Sequence, residues 1–548
     1  MQNGRRFTMR KKSISIISLV MACLMLLLTA CSGTSEPAAP GKTDSQSETP
    51  GGKKTDATPA KTEIVMGITR GIPSIWPGGE NDQGTVIMNN QFYNRLVRKN
   101  FDTGAIEPEL ATEWEVSSDN LTYTFKLRDD VYFHNGDKMT AEDVAWTLNE
   151  WHKKETYTKD YLVFFNNAEV IDEYTVALHY DKVYAAALEG LSMTLMGILD
   201  KNYVIEKMGS NWDSTGNAQS RAVYGEIDPN GTGPFKFVSK VSGESITMAA
   251  NDKYFEGAPQ FKKVTVKIMT DTNAALMALE SGEIDVLSHV PASDKMAVES
   301  NDDLVWYQND KTPVLIWLML NNADEHLKND KVRQAIAYAL DKEEIAIGTT
   351  DGAGGVLHSP IPVSATGYSD AVKDYEQDLE KAKQLLTEAG YPNGFTIEMK
   401  TYNSNTYKKP SEIIQAQLAK INIDVKITVV DTFWSDVAAH DFSMGVMNLC
   451  IYVPDADQAL YPLYYSGQKR NYVDAKNPEL DKLLDEARGE TDVNKRVELY
   501  AKAQQIFHDD LFMIPLCNYV SILAANKHVK NVVASPVFAW NMKDWTWE

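Results

Sequence analysis

The sequence predicts an α/β fold built as two linked lobes, and three observations predict it. At 548 residues the chain is longer than the ~250 to 300 residues at which a single hydrophobic core stops growing. Strand-like and helix-like periodicities alternate along it and complete a strand, helix, strand unit between Lys263 and Val286. From Val314 onward the same grammar is repeated, which calls for a second lobe.

The elements can be justified in order. Glu63 to Thr69 alternates and is rich in Ile and Val, as a first strand does. Turn residues Gly71, Pro73, Pro77, Gly78 and Gly79 follow, then an apolar segment from Val86 that carries Phe92, Tyr93 and Leu96. Tyr123, Phe125 and Leu127 alternate as a strand, and Asn135-Gly136 is a tight-turn signal. Thr140 with Asp143 three residues later reads as a capping box, and Val144, Leu148 and Trp151 supply the core stripe of the helix it starts. Ala168 to Ile171 and Tyr174 to Leu178 read as a strand pair, and the run Asp228 to Pro234 as a turn leading into a strand that ends at Phe237. That turn lacks the lysine of a P-loop and the Gly-x-Gly-x-x-Gly of dinucleotide sites, so nucleotide binding is set aside. Lys263 to Met269 is a strand, Asn273 to Ser281 a helix stopped by Gly282, and Ile284 to Val286 a strand.

In the second half, Val314 to Leu320 is a strand and a single helix is expected from about Lys331 to Ile345. Asp378 caps a helix whose stripe is Leu379, Ala382, Leu385, Leu386 and Ala389, with Gly390 as its left-handed stop. Phe395, Ile397 and Met399 form a strand, Ile413 to Ile421 a helix, and Val425 to Val429 a strand.

Arg5, Arg6, Arg10, Lys11 and Lys12 stand without an acidic partner before an apolar run from Ile14 to Leu28, which is the pattern of a signal peptide. The run is shorter than the ~20 residues that span a bilayer. It ends in Leu28, Thr29, Ala30, Cys31. This resembles the lipobox of bacterial lipoproteins, which implies cleavage after residue 30 and acylation of Cys31; a permanent signal anchor is the alternative. Residues 31–61 hold almost no large apolar side chain and are expected to form a flexible tether. The chain's formal charge is −22, and loss of the five basic signal residues makes it −27. Such a body repels nucleic acid and anionic lipid headgroups. Cys23 leaves with the signal, so Cys450 and Cys517 are the body's thiols, paired or free.

Several segments carry a resemblance. They are Glu107 to Trp114; Phe133 to Asp137 with Thr140 to Val144; Gly231 to Phe235; Tyr254 to Pro259; Ala274 to Val286; Arg333 to Asp341; and Asp378 to Leu386 with Ala389 and Gly390. In this order, over most of residues 63 to 548, they resemble the large extracellular solute-binding proteins of the peptide and nickel ABC transporter family, family 5. The resemblance implies a type II periplasmic-binding-protein-like fold, with two lobes, a hinge and a subdomain inserted in the first lobe. Carried onto this chain, the first lobe covers 62–312 with the insertion at about 93–222, the second 313–513, and 514–548 returns to the first. The crossings would lie at Thr312-Pro313 and Ile514-Pro515. It also implies an oligopeptide as the default solute, ABC permease subunits as partners, a monomeric body, no cofactor, and a place on the outer face of the cell membrane.

Peptide-binding relatives fix the solute's amino group with an aspartate between a tryptophan and an Asp-Pro pair, and dipeptide-specific ones hold the carboxylate with an arginine before a helix. The matching stretches here are Leu449 to Asp457, where Tyr452 takes the amine-binding place and Asp455 the following acid, and Thr401 to Tyr407. Both charge anchors are therefore missing from their family positions, unless a one-residue slip restores Asp455 or Asp457. Tyr402, Asn403, Asn405, Tyr407, Trp434, Tyr452, Asp455 and Asp457 are the candidate solute contacts, with aromatic rings for stacking and amides for neutral groups. That set favours a neutral solute, such as an oligosaccharide or a peptide gripped through its backbone, and leaves a ligand-sensing receptor without transport as a further alternative.

An enzyme is the rival class. The nine histidines are scattered with no His-Glu-x-x-His and no close pair, and His134 sits in a family turn where a hydrogen-bonded role is expected. His326, His358 and His440 are read as polar surface residues rather than metal ligands. No catalytic or metal residue is assigned.

Overall fold

The computed structural model describes residues 61–78, 80–153, 157–209, 227–453 and 455–548. Cys31, the signal segment and all of the tether but Lys61 lie outside the described residues.

Two mixed sheets organise the body. The first has seven strands in the order Leu304–Asn309, Ser521–Asn526, Val286–Ser288, Glu63–Ile68, Lys263–Ile268, Ser245–Ala250, Phe235–Val241. Its central strand Glu63–Ile68 is parallel to both neighbours, with Ile64 opposite Val264 and Met66 opposite Val286. The helix Thr272–Glu280 joins two of these strands and is capped by Asp271, whose carboxylate accepts from the Ala274 amide. A separate four-stranded antiparallel sheet forms the inserted subdomain, in the order Ala111–Val116, Thr122–Leu127, Thr175–Tyr180, Phe165–Asp172. The helix Ala141–Lys153 lies beside it. At its start Thr140 donates from both backbone N–H and hydroxyl to Asp143, so the aspartate does the accepting in this box.

The second sheet has five strands, Ile423–Val429, Phe395–Thr401, Met444–Cys450, Val314–Leu320 and Met513–Asn518. Val314–Leu320 is buried at every residue because both faces are covered. Its alternation sorts Ile316, Leu318 and Leu320 into one core and Leu315, Trp317 and Met319 into the other. The same strand separates the two cysteines. Cys450 pairs with Val314 on one side and Cys517 with Ile316 on the other, which puts them two strand spacings apart, roughly 10 Å. Both are free thiols, as that separation requires.

Three expectations need correction. The helix foreseen from Lys331 to Ile345 is two, Asp330–Ala339 and Lys342–Thr350. Leu340 is extended and Asp341 caps the second, its carboxylate accepting from the Glu344 amide, so a capping residue interrupts an apolar stripe that reads as continuous. The helix foreseen at Ile413 begins at Asn405 and contains Pro410, so Asn405 and Tyr407 belong to its first turn. The return to the first lobe falls at 519–520 and not at 514–515, because Met513–Asn518 still pairs with Val314–Leu320 and only Ser521–Asn526 enters the first sheet. The crossings at 312–313 and 519–520 lie side by side as a hinge. Thr312 donates its hydroxyl to the Tyr519 carbonyl, and the Tyr519 amide donates to Val314 O at 3.0 Å.

Candidate functional site

The second lobe presents a wall of rings beside the hinge. Tyr402 ends up against Tyr407 with centroids 5.7 Å apart, Tyr407 stands edge-on to Trp434 at 6.5 Å, and Trp434 lies 6.4 Å from Tyr472. Phe433 backs this wall from the core, 5.8 Å from Tyr407 and 5.4 Å from Trp434. Tyr402 and Trp434 are 37% and 38% exposed. Three of the candidate residues are thus brought together, with Tyr472 added. Asn403 and Asn405 are exposed near the same helix start, and Asn403 accepts from Lys408 at 3.4 Å.

Tyr519 stands where the hinge meets this wall, its hydroxyl donating to Thr349 O and accepting from Thr406 Oγ1, both at 3.4 Å. Burial pushes the Tyr407 phenol up to about 12, and the nearby Arg70 guanidinium of the first lobe works against that rise. Arg70 also works against the burial-driven rise of Tyr519, Cys450 and Tyr452.

Tyr452 lies deeper than a solute contact would require, at 8% exposure among the first lobe's core residues. It reaches the wall of a cavity of about 440 Å³ in the first lobe. That cavity's arginines are already neutralised, Arg95 by Glu109 at 2.8 Å and Arg98 by Glu256 at 2.7 Å.

The expectation that Asp455 and Asp457 contact solute is at odds with their geometry. Asp455 is fully buried, and Arg496 grips both its oxygens, at 2.6 and 2.7 Å. It also caps the helix Ala456–Tyr464 by accepting from the Asp457 amide at 2.8 Å. Arg488 holds Asp457 in the same two-pronged way, at 2.8 and 3.0 Å, while Tyr184 of the inserted subdomain donates its hydroxyl to Asp457 at 3.0 Å. Arg488 also lies 3.2 Å above the Tyr461 ring, and its carbonyl accepts from Ala185. Charge and hydrogen-bonding capacity are both satisfied within the protein.

The histidines do not gather. His326 stacks on Phe395 at 4.2 Å, and His358 shares Asp374 with Lys342. Among the described residues no three His, Cys, Asp or Glu side chains are placed to hold a metal. His134 Nε2 donates to the Gly233 carbonyl at 3.0 Å, and burial lowers its pKa to about 4. Its folded pKa lies below the unfolded ~6.5, so the unfolded chain binds more protons between these values and stability falls as pH drops through that window. Between pH 6.5 and 5.5 we expect a loss of about 1 kcal/mol from this group, read as a lower unfolding midpoint. His134→Asn should lose less over the same interval, and an equal loss would refute the assignment.

Arg70 is the residue that sequence reasoning missed. Its signal was topological: it stands beyond the carboxyl end of the parallel strand Glu63–Ile68, where open α/β sheets place their ligands.

Comparison with known proteins agrees with this architecture. The chain is 29% identical to heme-binding protein A of Haemophilus influenzae over 95% of this chain and 96% of that protein. It is likewise 29% identical to the dipeptide-binding protein of Escherichia coli, over 81% and 87%. The solved binding protein DppA of Helicobacter pylori, in complex with the peptide STSA, superposes with a TM-score of 0.77 at 28% identity, covering 89% of this chain and 98% of that one. Such proteins are non-enzymatic components of transporters, extracellular or periplasmic in location. Residues 105–471 match the profile of the middle region of the family, and the chain belongs to the bacterial extracellular solute-binding proteins, family 5.

Proposed function

We propose that this protein is the substrate-binding lipoprotein of an ABC importer, capturing an extracellular oligopeptide in the cleft between its lobes and delivering it to permease subunits. The observation that carries the reading is the half-exposed ring wall of Tyr402, Tyr407, Trp434 and Tyr472, set beside the hinge. A wall of this kind takes flat and apolar groups without selecting one side chain, which suits peptides of mixed sequence. The similar dipeptide- and oligopeptide-binding proteins support the same choice. Lobes joined by two adjacent connecting segments close by as much as the solute favours the closed state. Asp455 and Asp457 serve the framework and the contact with the inserted subdomain, not the solute.

The lipid anchor is the second part of the reading and rests on the signal and lipobox pattern ending at Cys31. The test has two measurements. Titration calorimetry of the mature protein with di- to pentapeptides and small oligosaccharides should give one-site micromolar binding of a peptide; binding of sugars alone would replace the peptide by the neutral-solute alternative. Intact-mass analysis of the membrane fraction should show acyl mass on Cys31, lost in Cys31→Ala; a mature N-terminus elsewhere without acyl mass would refute the anchor.

A further inference from the structure

The second lobe and the inserted subdomain meet at a buried contact built from residues the ring wall does not use. Tyr184 of the subdomain, 1% exposed, donates its hydroxyl to Asp457 Oδ2 at 3.0 Å and accepts from Gln458 Nε2 at 3.1 Å. Beside it the Ala185 amide donates to the Arg488 carbonyl at 2.9 Å, one of the carbonyls left over at the end of the helix Pro478–Gly489. The Arg488 guanidinium lies on Tyr461 of its own lobe at 3.2 Å and has the Phe164 and Tyr184 rings of the subdomain 5.7 and 5.9 Å away. Phe164 is held at a φ of 57°, which bulky side chains rarely adopt, and stands edge-on to Tyr184 with centroids 6.3 Å apart. Strain kept at a contact between two bodies points to a role for it there. From the other direction, Tyr452 and Val453 of the second lobe are buried in the first lobe's core.

We propose that Tyr184 is a positioning residue for solute capture: it latches the second lobe to the inserted subdomain, and the lobes stay closed until this contact breaks. The proposal deepens the solute-binding reading above and rests on it for the closing cleft. Asp457 is complete within its own lobe, because Arg488 already takes both its oxygens, so the Tyr184 hydroxyl is not needed to hold the second lobe together. Tyr184 in turn belongs to the first lobe's core. What the bond adds is attachment of one lobe to the other. The chain joins the lobes at 312–313 and 519–520, and rotation about that hinge pulls the hydroxyl from the carboxylate, frees the Ala185 amide and brings Tyr452 and Val453 to water. Burial of such apolar groups favours the closed form with or without solute. A hydrogen bond to a charged group, exchanged for water on opening, is worth about ten-fold in that equilibrium. Solute then leaves as often as the latch opens.

The test uses Tyr184→Phe, which removes the hydroxyl and keeps the ring. Amide hydrogen exchange of the solute-free full chain is read at three positions: Ala185, bonded across the lobes to Arg488; Tyr180, bonded within the subdomain to Leu121; and Ala456, bonded within the second lobe to Thr366. Ala185 should exchange about 10-fold faster in the variant, while Tyr180 and Ala456 keep the wild-type rate. Unchanged exchange at Ala185 overturns the latch. Equal acceleration at Tyr180 or Ala456 makes the hydroxyl a part of the fold and overturns it too. The second measurement is stopped-flow release of the tripeptide Leu-Ala-Phe, expected to be about 10-fold faster from the variant with association no slower; release at the wild-type rate overturns the proposal. Phe164→Leu, which withdraws a ring from Arg488 and keeps the hydroxyl, should speed both processes about 3-fold. If the tripeptide does not bind wild type, the peptide reading fails, and exchange at Ala185 alone decides the latch.

Discussion

Asp455→Ala lowers the stability of the second lobe by about 3 to 5 kcal/mol. Asp455 and Arg496 are both buried, joined by two short hydrogen bonds, and burial without the aspartate would leave Arg496 charged and unpaired. The intrinsic pKa of a guanidinium is high enough that Arg496 cannot escape by losing its proton once the aspartate is gone. The helix cap on the Asp457 amide is lost in the same step, worth about 1 kcal/mol more. Guanidinium unfolding followed by tryptophan fluorescence measures the loss. Two lobes need not unfold as one, so the second-lobe transition is the one to read. Replacing both partners, as in Asp455→Leu with Arg496→Met, should recover much of the loss, since removing a buried pair entirely is far less damaging than breaking it. A single variant as stable as wild type would show that Arg496 finds water or another acid on opening.

How much of this could be read from the sequence differs by element, for physical reasons. Val314–Leu320 announces itself because seven consecutive apolar residues, a strand's length set off by Pro313, suit a strand covered on both faces. The helix Leu379–Glu388 is equally legible, with Asp378 capping one end and Gly390, at φ 93°, stopping the other. The break at Leu340 is not, since an apolar stripe continues through it and only Asp341 marks the restart. The start at Asn405 is hidden because Pro410 reads as a boundary while the structure keeps it inside the helix. The family-like solute contacts were half legible. Tyr402, Tyr407 and Trp434 converge, but from a strand end and two helices separated in sequence, so their mutual contact depends on the sheet order. Asp455 and Asp457 look like free acids in a line of text, and only the fold brings Arg496 and Arg488 onto them.

Trp434→Ala should weaken solute binding about 30-fold, roughly 2 kcal/mol at one kcal-scale step of 1.4 per decade, while leaving the unfolding midpoint within about 0.5 kcal/mol of wild type. The argument rests on a contrast between neighbours. Phe433 and Trp434 are consecutive in the helix Phe433–Ala438 and their rings touch at 5.4 Å. Phe433 is fully buried against Val437 and Met447, whereas Trp434 keeps 38% of its surface open beside Tyr407 and Tyr472. A tryptophan left open between two tyrosines covers little core, so its removal opens no cavity; the surface it presents is what a closing solute would bury. Phe433→Ala supplies the opposite result, a stability loss of about 3 to 5 kcal/mol from the cavity it creates, with binding affected only through the wall it supports. Calorimetric titration and thermal unfolding of the two variants side by side decide the matter. If Trp434→Ala loses stability as Phe433→Ala does while binding is unchanged, Trp434 is packing and the solute lies elsewhere in the cleft. If binding alone falls, the ring wall is the floor on which the solute rests, and tryptophan fluorescence quenched on titration would place that contact at position 434.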